Sequence, residues 1–133
     1  MEKYLHLFFI TIFSFAISPT FAGETKFDCT IKNVYSLDDD ASLRKSGFQS
    51  AFEGNEFSVN KHNGEIVGET LTTMLANSTR VINIDSSENS FKVIAEFDGQ
   101  FQIIEIQDFK QGKLKPFVAS SMGGAGIVTG FCN

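Results

Sequence analysis

Residues 115–133 read KPFVASSMGGAGIVTGFCN, and the rest of the chain is organised around this stretch. Apolar residues on both sides of a glycine-rich run predict two strands, 117–120 and 127–132, joined by a turn. The second strand carries one of the two cysteines in the sequence, and the other is Cys29, near the opposite end. A bond from Cys29 to Cys132 joins the first predicted strand to the last.

The start of the chain has the features of a secretory signal peptide. Lys3 supplies a positive charge, and Ala22 is a small residue where a signal peptidase cleaves. The apolar run between them has about 13 residues, fewer than the roughly 20 that span a bilayer. The sequence therefore predicts a signal peptide over residues 1–22, a single domain over residues 23–133 and no membrane span after cleavage. The predicted location is periplasmic or secreted.

The formal net charge is −5. Cleavage after residue 22 removes Glu2 and Lys3, one charge of each sign, and leaves this value unchanged. An acidic chain without a basic run argues against binding to nucleic acid or to anionic membrane surfaces.

Export and an even number of cysteines together predict a disulfide between Cys29 and Cys132. This bond closes a loop of about 100 residues, which the chain-entropy model values at roughly 4–5 kcal/mol of stability.

Short alternating segments separated by turn signals run through the chain, and they predict an all-β domain. The expected architecture is a small antiparallel meander barrel of about eight strands, because closure removes exposed sheet edges. A β-sandwich is the alternative. Residues 27–34 form the first strand, with Cys29, Ile31 and Asn33 on one face, and residues 48–52 also have strand character.

The clearest hairpin turns at Gly99. A two-residue loop there sets apolar residues against polar ones, so the pattern favours a three-residue loop with Gly99 in the left-handed position. The pairs predicted by this loop are Ala95 with Phe101 and Val93 with Ile103.

The sequence offers little catalytic chemistry. His62 is the one histidine after residue 22 and lies in a predicted hairpin loop, with no nucleophile or carboxylate beside it in the sequence. There is no nucleophile-elbow motif, and there are too few histidines and free thiols for a zinc site. We therefore expect a protein that is not an enzyme and that uses no cofactor or metal.

Asp38, Asp40 and Ser42 match the first three ligand positions of a calcium loop. Leu43 replaces the glycine that such a loop needs, and Gln49 replaces the bidentate glutamate. A solvated acidic turn is the interpretation that these departures favour.

The glycine-rich run near the end of the chain is the candidate binding loop, because binding residues concentrate on loops held by rigid scaffolds. It has no following Lys-Ser/Thr pair and so is not a phosphate loop. The candidate residues are Ser120, Ser121, Met122, Gly123 and Gly124.

Several segments together resemble small exported proteins of Gram-negative bacteria to which no activity has been assigned. The segments that carry the resemblance are 57–60, 64–68, 87–94, 104–109, 115–117 and 129–132. The resemblance implies a periplasmic or secreted location and supplies no catalytic or binding residues.

In size, export, the cysteine at position 132 and the Ser120-Ser121 pair, the chain is also similar to periplasmic inhibitors of C-type lysozyme. It departs from them in having no lysine between Phe117 and Cys132.

The expected function is that of an exported, non-enzymatic β-barrel that binds an unknown protein or small ligand through its loops or its mouth. Two alternatives remain open at this point. One is a periplasmic inhibitor of a lysozyme-type enzyme, and the other is a carrier of a small apolar ligand inside the barrel.

Overall fold

The computed structural model describes residues 25–82, 90–121 and 126–133. The predicted signal peptide over residues 1–22 lies outside them. Within the described residues the chain is all-β, as predicted, and forms an antiparallel half-barrel. The elements are β1 (Lys26–Leu37), β2 (Leu43–Lys45), α1 (Gln49–Phe52), β3 (Glu56–Asn60), β4 (Ile66–Gly68), β5 (Ser78–Ile82), β6 (Phe91–Phe97), β7 (Gln100–Ile106), β8 (Lys115–Ser121) and β9 (Gly126–Cys132).

The strands follow the order β4-β3-β1-β9-β8-β7-β6-β5, and β2 pairs with β1 beside this path. Strands β5 to β9 form a simple meander, since each pairs with the next along the chain. The first strand then pairs with the last, which confirms that the two ends of the chain meet in the sheet. The gap in the half-barrel consequently lies in the middle of the sequence, between β4 and β5.

The predicted disulfide is confirmed. Cys29 and Cys132 are directly opposite on β1 and β9, and their sulfur atoms are bonded at 2.03 Å. The adjacent pair, Asp28 and Asn133, exchanges backbone hydrogen bonds of 2.9 and 3.4 Å. The cysteines therefore occupy the closely spaced type of antiparallel pair, in which facing side chains approach each other most closely.

Strand β1 contains a bulge that changes which residues face the core. Its register against β9 shifts between Ile31 and Asn33, so one residue of β1 has no partner. Beyond the shift, Val34 is fully buried and Asn33 is half-buried on the other face. The prediction that Asn33 shares a face with Cys29 is therefore wrong, because simple alternation does not survive an inserted residue.

The prediction of a strand over residues 48–52 is also wrong, since α1 occupies residues 49–52. The side chain of Gln49 explains why a helical turn lies here. Its amide group donates to the carbonyl of Lys32 at 3.0 Å, and its oxygen accepts from the N–H of Val34 at 2.7 Å. Gln49 therefore satisfies backbone groups at the bulge that the sheet leaves without partners.

The predicted three-residue loop between β6 and β7 is wrong as well. Phe97 pairs with Gln100 across a two-residue turn, in which Gly99 has φ of 70°. The cross-strand pairs are accordingly Glu96 with Phe101 and Val93 with Ile104, one residue away from the predicted register.

The inside of the half-barrel is occupied by its own side chains. Phe27 packs against Phe91 and Phe57 against Phe117, both with ring centroids 5.2 Å apart. These rings belong to one contiguous buried cluster with the aliphatic residues of nearly every strand. Aromatic rings therefore form part of the interior packing among the described residues.

Candidate functional site

The candidate binding loop begins at the end of β8. Ser120 lies half-buried on the outward face of the sheet, opposite Ile103 of β7 and Ile127 of β9. Ser121 is the last residue of β8. The other predicted loop residues lie outside the described part of the chain: Met122, Gly123 and Gly124.

Apolar side chains surround Ser120 on this outward face. Phe101 is 51% exposed, Ile103 43% and Val118 39%. Contiguous apolar exposure of this kind marks interaction sites on soluble proteins. We call the patch the outer strip and define it as Ile94, Phe101, Ile103, Val118, Ser120 and Ile127, from the four adjacent strands β6 to β9.

The register of β7 decides which of its residues belong to the outer strip. The two-residue turn points Ile104 and Ile106 into the core, where both are fully buried. Phe101, Ile103 and Glu105 consequently face outward. The opposite arrangement places the carboxylate of Glu105 in the core, and burying an ionised group without a partner costs far more than burying a neutral one. Glu105 therefore accounts for the outward orientation of its apolar neighbours.

This register leaves one polar side chain inside. Gln102 is 8% exposed, and its Nε2 has no hydrogen-bond partner among the described residues. An unpaired buried amide costs about 1–3 kcal/mol. Strand β7 therefore buries a glutamine while it exposes a phenylalanine and an isoleucine, which is the reverse of what core packing favours.

The carboxylates next to the outer strip already have partners. Glu105 accepts a hydrogen bond from the Ser90 hydroxyl at 2.6 Å and lies 3.9 Å from the Lys92 ammonium. Glu96 accepts from the Ser78 hydroxyl at 3.2 Å. Lys92 thus offsets the charge of Glu105, whereas Glu96 is bonded to a neutral hydroxyl and keeps its negative charge.

A row of cross-strand partners runs across the strip from Ile94 through Ile103 and Ser120 to Ile127. A cation lies beyond each end of this row. Arg80 of β5 is exposed opposite Ile94, and no ion pair involves it in the part of the chain that the structure describes. At the other end Tyr35 lies opposite Ile127, and the Lys45 ammonium lies 4.9 Å from the centroid of its ring. The strip is thus apolar in the middle and positively charged at its ends.

His62 and the acidic turn occupy separate exposed positions. His62 follows the end of β3 that pairs with the start of β1, whereas residues 38–40 follow the other end of β1. A strand of 12 residues lies between them. The fold therefore does not bring these two candidate groups together.

The acidic turn makes its contacts within its own hairpin. Asp38 forms an ion pair with Arg44 at 3.1 Å. The hydroxyl and the backbone N–H of Ser42 donate to Asp40 at 2.6 and 2.9 Å, which holds the pKa of this carboxyl below its ordinary value. Across the described ranges, no group of three or more histidine, cysteine or acidic side chains is placed to hold a metal ion.

The predicted register pairs Phe101 with Ala95 and Ile103 with Val93, which are both buried, and so misses the centre of the outer strip. A signal was present in the pattern itself. Glu105 shares their alternation, whereas Ile104 and Ile106 share the other face with Gln102, and a neutral amide is the less costly group to bury.

Comparison of the chain with protein-family models, curated proteins and solved structures found no match. None of the helical structure in the described residues is long and apolar enough to cross a bilayer. The fold is an antiparallel half-barrel whose first and last strands are joined by a disulfide.

Proposed function

We propose that this chain is an exported, non-enzymatic module that binds a partner protein through the outer strip. The observation that carries the proposal is the outward orientation of Phe101 and Ile103 on β7, where each is close to half exposed. Neither side chain belongs to the buried core cluster, so the core itself does not require apolar residues at these positions. Apolar residues retained on an open sheet face suit contact with another molecule.

Several features favour a protein over a small molecule as the partner. The strip lies on the outward face of four neighbouring strands of the half-barrel, whereas small ligands prefer concave sites. One aromatic residue within the strip, Phe101, and charged residues at its edge also match the anatomy of such interfaces. Because Arg80 and Lys45 stand at the ends, the complementary partner carries apolar side chains flanked by acidic ones.

A disulfide and an acidic surface support the exported placement. The Cys29–Cys132 bond suits an oxidising compartment, and the net charge of −5 disfavours adhesion to anionic membranes. Ser120 lies within the strip, so a lysozyme-type target is one specific partner to assay alongside others.

The experiment compares three proteins: the unmodified protein, the double variant F101S/I103T and the control variant Val67→Thr. Val67 is 60% exposed on β4, at a distance from the strip in the strand order, so its change removes outward apolar surface elsewhere on the same sheet. Each purified protein is cross-linked to a soluble extract of the exporting compartment, and its inhibition of C-type lysozyme is measured in parallel. We expect one complex that the double variant loses and the Val67 variant retains.

The contribution of Phe101 to the affinity for a partner can be estimated from its exposed area. A phenylalanine buries about 200 Å² in full, so the exposed half of Phe101 offers about 100 Å² to a partner. At about 25 cal/mol per Å² this is about 2.5 kcal/mol, or about 70-fold in dissociation constant. The same complexes with all three proteins, or no complex with any of them, refute the proposal. If the unmodified protein forms a dimer and F101S/I103T does not, the partner is a second copy of the chain and not the proposed protein.

A further inference from the structure

A groove lies at the end of the half-barrel where β1 begins and β9 ends, away from the loop after β8. Its volume is about 820 Å³, which is within the range of small-ligand sites. The residues that matter for its chemistry are three apolar ones and three cations: Phe27, Phe91, Leu114, Lys61, Lys113 and Lys115. We call it the end groove.

The floor of the end groove is aromatic and rigid. Phe27 and Phe91 are 5% and 6% exposed and pack against each other with ring centroids 5.2 Å apart. Leu114, which is 59% exposed, forms part of the wall. The groove therefore exposes small parts of two rings at the edge of the core, and Leu114 supplies most of its accessible apolar surface.

Cations surround this floor. The Lys61 ammonium lies 4.2 Å from the centroid of the Phe27 ring, so its charge is directly above the apolar surface. Lys113 is exposed, and Lys115 donates a hydrogen bond to the carbonyl of Lys110. Within the described ranges, no carboxylate forms an ion pair with Lys61, Lys113 or Lys115.

The groove is positive although the chain as a whole carries −5. Asp108 is the one acidic side chain in its lining. The three lysines of the lining outnumber this one carboxylate. If one further negative charge is counted at Asn133, which also lines the groove, an excess of one positive charge remains. Lys61 and Lys115 also make contacts within the chain, whereas Lys113 is exposed at the edge of the groove.

The backbone fixes the walls of the groove in place. The N–H of Lys61 donates to the carbonyl of Thr25 at 2.9 Å, and Asn133 donates to Asp28 at the same distance. The N–H of Gln107 donates to the carbonyl of Pro116 at 2.8 Å and closes the base of the loop that carries Lys113. A preformed site loses little conformational entropy on binding.

From this geometry we infer that the end groove binds a small amphiphilic anion, a free molecule with one anionic head group and an apolar body. The body lies against Phe27, Phe91 and Leu114. The head group is held by Lys61 and Lys113. This site is separate from the outer strip and does not depend on the function proposed for it.

The test uses decanoate as the anionic probe and decanol as its neutral counterpart, with isotope-labelled protein observed by nuclear magnetic resonance. We expect decanoate to shift the amide signals of Lys61, Lys113 and Leu114 and to leave that of Ile103 in place. Decanol is expected to bind more weakly, by up to about 30-fold, since it lacks two half-exposed ion pairs that each contribute up to about 1 kcal/mol. Lys61→Gln and Lys113→Gln are each expected to lower the affinity for decanoate by up to about five-fold, because each removes one such ion pair.

Lys32→Gln is the matched control, because it removes one exposed lysine of β1 that does not line the groove. It is expected to leave decanoate affinity unchanged. If Lys61→Gln does not fold, Lys113→Gln still gives the result, since its side chain is exposed. The inference is overturned by equal affinities for decanoate and decanol, by shifts at the outer strip instead of the groove, or by no binding at about 1 mM decanoate. Binding to anionic lipid vesicles without binding of free decanoate overturns it too.

Discussion

Gln102 is the residue at which the register of β7 can be tested through stability. Its side chain is buried between β6 and β8, opposite Ala95, and its Nε2 has no partner among the described residues. Gln102→Leu replaces this amide by an apolar group of similar size. Because it removes the cost of an unpaired buried amide, the variant is expected to gain about 1–3 kcal/mol in free energy of unfolding.

The assay is urea denaturation, supported by thermal unfolding. With a slope near 1–3 kcal/mol per molar urea, the gain moves the midpoint upward by about 1 M. Gln100→Leu is the control on the same strand, because Gln100 is exposed and its substitution is expected to change stability by less than about 0.5 kcal/mol. A Gln102→Leu protein that is less stable than the parent refutes the claim that Gln102 is an unsatisfied core residue.

Three other variants test the features that hold β1 in the sheet. Gly130→Ala places a Cβ 2.1 Å from the carbonyl oxygen of Thr30, so we expect a loss of about 1–3 kcal/mol in urea unfolding. Gln49→Ala leaves a buried backbone N–H of β1 without its acceptor, and the same assay is expected to show a loss of about 1–3 kcal/mol. Replacing both Cys29 and Cys132 by alanine opens a loop with a sequence separation of 103, and the expected loss is about 2–5 kcal/mol.

Each of these predictions has a control within the chain. Gly47→Ala meets open space, and Ser50→Ala changes an exposed neighbour of Gln49, so both are expected to stay within about 0.5 kcal/mol of the parent. Parent protein treated with a reductant is expected to match the double cysteine variant. A Gly130→Ala protein as stable as its Gly47→Ala control contradicts the close approach of β9 to β1, and a cysteine variant with full stability contradicts the role of the disulfide.

Sequence reasoning reached the fold class and the pairing of the chain ends because both depend on robust signals. Period-2 alternation specifies strands, and two cysteines in a chain that is predicted to be exported leave one pairing. The bulge in β1 gave no such signal. It depends on Gln49, which is distant in sequence and supplies hydrogen bonds to both sides of the bulge.

The candidate sites were predictable only in part. Ser120 was found because it adjoins a glycine-rich loop, and it does lie on the outer strip. Phe101 and Ile103 were missed because apolar alternation was taken to mean burial, although Glu105 in the same alternation needed to remain outside. The end groove was invisible to the sequence, since the lysines at positions 61 and 113 become neighbours only when β3 and the loop after β7 reach the same end of the sheet.

The outward orientation of Phe101 and Ile103 defines the outer strip, and contacts between backbone α-protons across β6 and β7 test it directly by nuclear magnetic resonance. In the two-residue hairpin, Ile94 and Ile103 form a closely spaced pair. We predict a strong contact between the α-protons of Ile94 and Ile103. A strong contact of Ile103 with Val93 instead places Phe101 and Ile103 in the core, and the outer strip then does not exist.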